Sequence, residues 1–471
     1  VTPDREESTM TTYEELRRRH VADMQAMLPE HFDRLTWPAE RLAAERRSRL
    51  QRLVRDAKQC SPWHRRRLAG IDPDRLDETS LSELPVMTKD DLMGNFDEVV
   101  TDERLRLDLL DSHLETLAND AYLFDRYHVI ASGGSSGRRG VFVYDWAGWA
   151  TMYLGIQRYE LRRQALERRL RPGPVTLAAV VAGRASHGSK ALWQTFATPD
   201  QPVWGLPITL PVDEIVAGLN EVDPDVILAY PSALLPLAEE ARAGRLGMRP
   251  RRILVGAEPL LPEIRSTAEE TWGVPVINVY ASSEAGGMAI SCGDGPGLHL
   301  VEDLSIIEPV DEQGRPVGPG EQSAKIYMTN LYNHALPLIR YEITDEVTMM
   351  SEACPCGSGH RLIEDPQGRL DESFRYGGLV VHPLVFRSPL GLCRNIVEYQ
   401  VRQTHRGAEI AVRCQGWPDL AALHTEVTKK LTAVGLHGAE VAITAVDHLP
   451  RQDTGKLKRF IPLRPGVAKA A

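Results

Sequence analysis

Several clusters of residues in this chain have the types and spacing that chemistry needs. The run Ile130-Ala131-Ser132-Gly133-Gly134-Ser135-Ser136-Gly137-Arg138 lies between two strand-like segments. Glycine and serine there let backbone N–H groups and hydroxyls come close to phosphate oxygens. The run lacks a closing Gly-Lys-Ser/Thr, so it is not a Walker A loop, and the same composition also serves as a plain turn. Two further segments, Gly256-Ala257-Glu258-Pro259 and Tyr280-Ala281-Ser282-Ser283-Glu284, each close a β-branched run. Ligands of open α/β sheets gather at such strand ends. Arg340-Tyr341-Glu342-Ile343-Thr344-Asp345, Gly368-Arg369-Leu370-Asp371-Glu372 and Leu449-Pro450-Arg451-Gln452-Asp453-Thr454-Gly455-Lys456 follow in that order. Taken singly, each reads equally well as a turn or a capped helix.

Another kind of chemistry is metal binding. Cys354-Pro355-Cys356 forms a tight thiol knuckle, and Cys292 and His299 complete a Cys3His set of the kind that closes a structural zinc tetrahedron. His360 competes with His299 for the fourth place, and the alternative is a coincidence of buried thiols. Cys60, Cys393 and Cys414 are scattered and read as packed or surface thiols.

The elements that must position these groups fall into three textures. Up to about residue 67 the pattern is helical, with Leu42, Arg46, Leu50 and Leu53 on one face, and Thr88 with Asp91 forms a capping signal. From about residue 129, short β-branched runs (141–143, 175–181, 225–228, 252–255, 274–279) alternate with helical stretches such as 233–243 and 262–272. That alternation predicts βαβ units and a largely parallel sheet. Residues 303–347 read as a Gly- and Pro-containing antiparallel piece. After Gly368, strands at 379–381, 396–403 and 409–413, a helix at 420–434 and a strand at 440–446 make a compact α+β unit. The expected organisation is a large α/β domain over 1–368, with a metal-bound subregion around 291–360, and a small mobile α+β domain over 369–471.

The length of 471 residues fits two or three domains. With 55 Lys and Arg against 65 Asp and Glu the net charge is −10, which excludes nonspecific nucleic-acid binding through a broadly cationic surface. The longest apolar run, near Leu177 to Ala182, is far short of a bilayer span, and no signal peptide opens the chain. A soluble, cytoplasmic protein with no membrane partner is expected.

Over about residues 120–460, the ordered motifs resemble those of the adenylate-forming superfamily of acyl-CoA synthetases, carrier-protein adenylation domains and luciferases. The short N-terminal region and Gly377-Gly378-Leu379-Val380-Val381-His382-Pro383 are most similar to its phenylacetate–CoA ligase branch. The resemblance implies that Ser132, Gly133, Gly134, Ser135, Ser136, Gly137 and Arg138 cover the β- and γ-phosphates of ATP. It implies that Gly256, Ala257, Glu258 and Pro259 line the adenine pocket and that Tyr280 stacks on adenine, with Ala281, Ser282 and Ser283 alongside. Glu284 becomes the Mg²⁺ carboxylate, Asp345 the acceptor of the ribose hydroxyls, and Arg369 a further nucleotide contact. Lys456 becomes the lysine that stabilises charge at the α-phosphate, and Asp371 the hinge about which the small domain turns between half-reactions. Three positions differ from the family pattern. The loop ends Gly-Arg-Arg instead of Gly-Lys-Pro, the residue before Asp345 is Thr344 instead of glycine, and Gly-Leu-Val follows Gly377 where many relatives carry arginine.

The activity implied is AMP-forming ligation of an aromatic or heteroaromatic carboxylic acid to coenzyme A, with ATP, Mg²⁺ and a structural Zn²⁺. His187, Trp204, Tyr230 and Ala281 are the candidate lining of the acid pocket. An acyl carrier protein or an amine is an alternative acceptor, a non-catalytic binding protein is a second alternative, and a homodimer is left open.

Overall fold

The computed structural model describes residues 12–132, 140–169, 172–366 and 372–463, apart from 382, 384, 387–388, 391–392, 394, 415 and 453–456. Helices come first. Thr12 caps α1 (Tyr13–Arg34) in a capping box with Glu15. In α2 (Ala39–Cys60) the expected face of Leu42, Arg46, Leu50 and Leu53 is buried. Four short helices follow: α3 (Pro62–Arg67), α4 (Lys89–Gly94), α5 (Phe96–Val99) and α6 (Leu107–Thr116). Thr88 and Asp91 make the predicted capping box on α4.

The strands β1 (His128–Ala131) and β2 (Val141–Tyr144) pair antiparallel on either side of residues 133–139. The α/β alternation then runs through α7 (Trp146–Glu167), β3 (Leu177–Val181), α8 (Gly188–Phe196), β4 (Val203–Pro207), α9 (Val212–Val222), β5 (Val226–Ala229), α10 (Pro231–Arg242), β6 (Arg252–Gly256), α11 (Pro262–Trp272) and β7 (Val276–Ser282). Next come β8 (Gly286–Ile290), β9 (Leu298–Leu300), β10 (Ser305–Val310), β11 (Lys325–Asn330), β12 (Tyr341–Ile343) and β13 (Leu362–Ile363).

One eight-stranded sheet carries the order β13-β9-β8-β7-β6-β5-β3-β4. It is parallel from β7 to β4, where helices supply the crossovers, and antiparallel from β7 to β13. All five residues of β3 are buried, as a strand covered on both faces requires. The strands β10, β11 and β12 form the separate antiparallel sheet expected of residues 303–347.

The C-terminal part opens on the hairpin of β14 (Phe374–Tyr376) and β15 (Leu379–Val381). It continues through β16 (Ile396–Gln403), β17 (Gly407–Cys414), the helix Leu420–Ala433, β18 (Glu440–Ala445) and β19 (Phe460–Ile461), with sheet order β18-β17-β16-β19. Its apolar core, around Phe374, Phe386, Val401, Val427 and Phe460, shares no buried residue with the main core, which ends at Ile363. The expected boundary at 368/369 lies outside the described residues. Polar contacts join the two parts. Arg413 reaches Glu239 of α10 at 3.8 Å, and Arg451 bridges Glu398 of β16 (2.6 Å) and the Ser232 hydroxyl of α10 (3.3 Å).

Candidate active site

The strands β6 and β7 end side by side and set the floor of a cleft. A side chain at Gly256 would put its Cβ 2.7 Å from the Val279 carbonyl oxygen, so only glycine lets the strands close up there. The next residue, Ala257, takes φ 67°, a left-handed conformation unusual for a residue with a side chain and of the kind found at functional turns. That turn aims Glu258 across the cleft. One of its oxygens accepts the backbone N–H of Ser232 at 3.0 Å, at the N-terminus of α10. The other accepts the Ser232 hydroxyl at 3.2 Å and the backbone N–H of Leu457 at 3.0 Å.

On the adjoining strand, the Tyr280 hydroxyl donates to Asp345 Oδ2 at 2.8 Å, tying β7 to the segment after β12. Glu284 is fixed by its backbone, whose carbonyl accepts from the Asn330 amide at 3.1 Å. Its carboxylate makes no hydrogen bond or ion pair with another described residue. Ala257, Glu258, Tyr280, Glu284 and Asp345 line one open cleft, together with Ser132, Pro259, Ala281–Ser283, Gln452, Leu457 and Lys458.

Ser132 closes the base of the 133–139 segment. Its backbone N–H bonds the Gly140 carbonyl at 2.9 Å, and its hydroxyl accepts the Gly140 N–H at 2.9 Å. Lys89, in the first turn of α4, comes to 3.4 Å from that hydroxyl and also lines the cavity. Sequence reasoning missed this cation, because Thr88-Lys89 reads only as a helix start. Gly133, Gly134, Ser135, Ser136, Gly137, Arg138, Arg369, Asp371 and Lys456 lie outside the described residues, although Leu457 brings the chain to the cleft directly after Lys456.

A second cavity, of about 170 Å³, shares Ala257, Val279 and Ala281–Ser283 with the first and extends inward from it. Ile130, Met152, Leu192, Trp193 and Val255 make much of its wall apolar. Three of the four residues expected in an acid pocket are there: His187, Tyr230 and Ala281. The Tyr230 hydroxyl accepts the Ala182 N–H at 3.2 Å, and burial pushes its pKa up to about 12, so it serves as a neutral hydrogen-bonding group. Trp204 is a correction. It sits on the edge strand β4, is 42% exposed, and lines neither cavity, because β4 has no neighbour on its outer side.

Among the lining residues that had not been anticipated are Tyr153 and Gln157 of α7. They reach the cavity because α7 lies unusually close to β8. A Cβ on Gly287 would stand 2.9 Å from the Gly155 carbonyl oxygen, so the glycine at 287 permits the approach.

The thiol set assembles elsewhere, at the β8–β9 end of the main sheet. One ligand atom each from Cys292, His299, Cys354 and Cys356 lies within 4.8 Å of all the others, and the first three residues are buried. The sulfurs of Cys292 and Cys354 are 3.6 Å apart, and Cys356 Sγ is 3.4 Å from His299 Nε2. Zinc–sulfur bonds of ~2.3 Å in a tetrahedron place sulfurs about 3.8 Å apart, so the spacing suits that ion. His299 Nδ1 faces the His360 carbonyl at 3.3 Å, which leaves Nε2 as the ligand atom, the usual outer-shell arrangement for a metal-bound histidine. Burial pushes the Cys354 and Cys356 thiols up, an effect that a bound dication reverses.

His360 is the second correction. Its Nδ1 accepts the Glu302 N–H at 3.3 Å and its Nε2 donates to the Arg34 carbonyl at 3.2 Å, so neither nitrogen is available to the thiols. Burial, with the charge of Arg158 nearby, brings its pKa down to about 4.

Fold and cleft together define a two-part α/β protein with a nucleotide-sized cleft opening onto an apolar chamber. No protein-family model matches the chain. It is 27% identical to the phenylacetate-coenzyme A ligase of Thermus thermophilus, over 91% of this chain and 98% of that one. It is 26% identical to the phenylacetate-coenzyme A ligase of Escherichia coli, over 79% and 81% of the two chains. Among solved structures, a 2-hydroxyisobutyryl-CoA ligase in the postadenylation state, in complex with R3-HIB-AMP, superposes with a TM-score of 0.68 at 21% identity, covering 92% of this chain and 91% of that one. The same enzyme with 2-HIB-AMP and CoA in its thioesterification state gives 0.56, covering 98% and 95%. The chain is thus similar in sequence to phenylacetate-coenzyme A ligases over most of its length and shares the fold of a 2-hydroxyisobutyryl-CoA ligase.

Proposed function

We propose that the protein is an AMP-forming acid–CoA ligase that activates an aromatic or heteroaromatic carboxylic acid. The observation that carries this reading is the shared wall of the two cavities: Ala257 and Ala281–Ser283 border both the polar cleft and the apolar chamber. An acid seated in the chamber would present its carboxylate at that wall, next to the α-phosphate of a nucleotide in the cleft. A carboxylate oxygen attacks the α-phosphorus, the bond to the bridging β-phosphate oxygen breaks, and pyrophosphate leaves. The thiol of coenzyme A then loses its proton, its sulfur adds to the acyl carbon, and AMP departs with the former carboxylate oxygen. The protein supplies no nucleophile; positioning and charge stabilisation carry both steps.

In this reading Ser132 anchors the phosphate-covering loop from Gly133 to Arg138, and Lys89 adds positive charge at its base. Tyr280 and Asp345 hold adenine and ribose, Arg369 adds a nucleotide contact, and Lys456 meets the α-phosphate. Glu284, with its carboxylate facing the cleft, would hold Mg²⁺, a hard cation that prefers one or two carboxylates plus phosphate oxygens and neutralises phosphate charge. Residues 369–471 act as a domain that turns about Asp371 between the half-reactions. Cys292, His299, Cys354 and Cys356 hold a structural zinc, remote from the reaction. The test is a carboxylic-acid panel scored for pyrophosphate release, then for AMP release with coenzyme A, a carrier-protein thiol or an amine as acceptor. Acid-dependent pyrophosphate release with coenzyme A as the productive acceptor is expected. No release with any acid overturns the reading, and productive transfer only to another acceptor overturns the coenzyme A assignment.

A further inference from the structure

The inner chamber is apolar over much of its wall, yet it holds polar groups whose hydrogen-bonding capacity the protein leaves unused. Gln157 is 2% exposed, and its side-chain oxygen has no hydrogen-bond partner among the described residues. Tyr153 is equally buried, and burial alone raises the pKa of its hydroxyl, with no hydrogen-bonding neighbour adding to the shift. The two residues are four apart on α7, on one face of the helix, and both line the chamber.

Buried polar groups are normally satisfied, because stripping water from a carboxamide without replacing its hydrogen bonds is unfavourable. A chamber meant only for a hydrocarbon ring would be cheaper to build with leucine at position 157. The neighbouring polar side chain Tyr230 shows the ordinary pattern, since it is held by Ala182 and Ser189. Gln157 stands apart as a buried carboxamide whose oxygen has no partner among the described residues, one turn of α7 from the Tyr153 hydroxyl.

We infer that Gln157, assisted by Tyr153, selects an aromatic acid bearing a ring hydroxyl or amino group over the unsubstituted acid. The inference rests on the ligase reading above for the position of the carboxylate, and it adds the substituent. The unpartnered oxygen is closed off in this structure, so it meets a ligand once the carboxamide turns about its last side-chain bond, and it then accepts from an O–H or N–H substituent. A hydroxyl also suits the carboxamide in its other orientation, because it accepts as well as donates. A site built around such a hydrogen bond discriminates strongly against the analogue lacking it, whereas a purely apolar pocket hardly distinguishes the two.

The test compares wild type, Gln157→Met and Tyr153→Phe on matched pairs: benzoate with each hydroxy- and aminobenzoate, and phenylacetate with its ring-hydroxylated forms. Two readouts are taken, kcat/KM for pyrophosphate release and calorimetric binding of each acid. Wild type should favour one substituted isomer by about 10-fold or more over its parent. Gln157→Met should erase or invert that preference while melting no lower than wild type, since the oxygen removed had no partner among the described residues to lose. Tyr153→Phe should weaken the preference by a smaller factor. Pyrophosphate release that ignores the substituent, or an unchanged ranking in Gln157→Met, overturns the inference and leaves the ligase reading standing. Binding that depends on substituent and Gln157, without pyrophosphate release from any acid, supports the inference and overturns the ligase reading. Absence of both binding and release overturns the inference.

Discussion

Glu258 and Leu457 are joined across the cleft: a carboxylate oxygen from the end of β6 accepts, at 3.0 Å, the backbone N–H of the residue that follows Lys456. The same carboxylate is locked onto α10 by the Ser232 N–H and hydroxyl, so its position is set by the large core and not by the C-terminal segment. Glu258 therefore acts as a fixed docking point for the chain at Leu457, next in sequence to the lysine that the proposed function assigns to the α-phosphate. Family resemblance had cast it only as part of an adenine pocket.

Replacing Glu258 should thus act through placement. Glu258→Ala removes the acceptor for Leu457 and uncaps two donors at Ser232, one of them at a helix N-terminus. Adenylate formation should fall about 10-fold or more, since small misplacements of reacting groups are costly. Thioester formation from a supplied acyl adenylate should fall less. Single-turnover measurement of each half-reaction checks this, and equal losses in both would argue against a docking role.

Lys456 itself should behave differently from a surface lysine, which contributes under ~1 kcal/mol even when paired. Loss of one electrostatic contact to developing charge commonly costs 10²–10³ in rate. Lys456→Ala should therefore lower adenylation by at least ~100-fold, with ATP affinity and melting temperature close to wild type. Unchanged adenylation would remove the lysine from the mechanism.

The thiol set predicts about one zinc per chain by elemental analysis of the purified protein. Cys354→Ser should lose the metal and lower the melting temperature, because a structural site couples metal binding to folding. His360→Asn should retain the metal, since both ring nitrogens of His360 are engaged with Glu302 and Arg34. Metal loss in His360→Asn with retention in His299→Asn would reverse the ligand assignment.

Much of this arrangement was legible before folding, and the exceptions have physical causes. Strand-ending motifs such as Gly256-Ala257-Glu258 and Tyr280 to Glu284 combine a β-branched run with a turn, so their place at the carboxyl ends of neighbouring strands follows from local pattern. The choice between His299 and His360 did not follow, because both lie near the cysteines in sequence and only the backbone decides which ring meets sulfur. Tyr153 and Gln157 were hidden by their own helix. The helix α7 buries Trp149, Met152, Tyr153, Leu154, Gln157 and Arg158 on several sides, so periodicity gives no face to assign to a cavity. Trp204 misled for a related reason: a tryptophan is usually buried, but β4 is an edge strand.

Arg158 and Asp303 form a two-pronged pair, 2.7 Å on each prong, with both side chains wholly buried. Burial opposes ionisation of Asp303, but the guanidinium of Arg158, with help from Arg34, holds its pKa far below the usual carboxylate range. The pair joins α7 and α1 to the loop after β9, next to His360. Arg158→Leu leaves a buried carboxylate without its main partner and should destabilise the fold by about 3–5 kcal/mol. The double variant with Asp303→Leu should recover much of that loss, as buried pairs replaced by apolar groups often do. Urea unfolding of the single and double variants measures both, and additive losses would show that the pair is not coupled.

The buried histidines set the acid limit of stability. His20 and His31 on α1 and His64 on α3 are at most 3% exposed. Burial brings their pKa values down to about 3, 3 and 4; the charges of His128 for His20, and of Arg158 for His31, push the same way. An unfolded chain would titrate them near 6.5. Between about pH 6.5 and pH 4 the unfolded state therefore binds protons that the folded state refuses, so stability is present above pH 6.5 and is lost as pH falls through this window. Each histidine contributes up to about 1.4 kcal/mol per pH unit there. Removing one should flatten the slope by that amount, and His31 is the suitable choice because its Nδ1 has no hydrogen-bond partner among the described residues. Unfolding free energies of wild type and His31→Leu at pH 7, 6 and 5 test this. As the pH drops, the wild-type minus variant difference should move in the variant's favour by up to about 1.4 kcal/mol per pH unit, and parallel curves would mean that His31 is already protonated in the folded protein or stays neutral in the unfolded one.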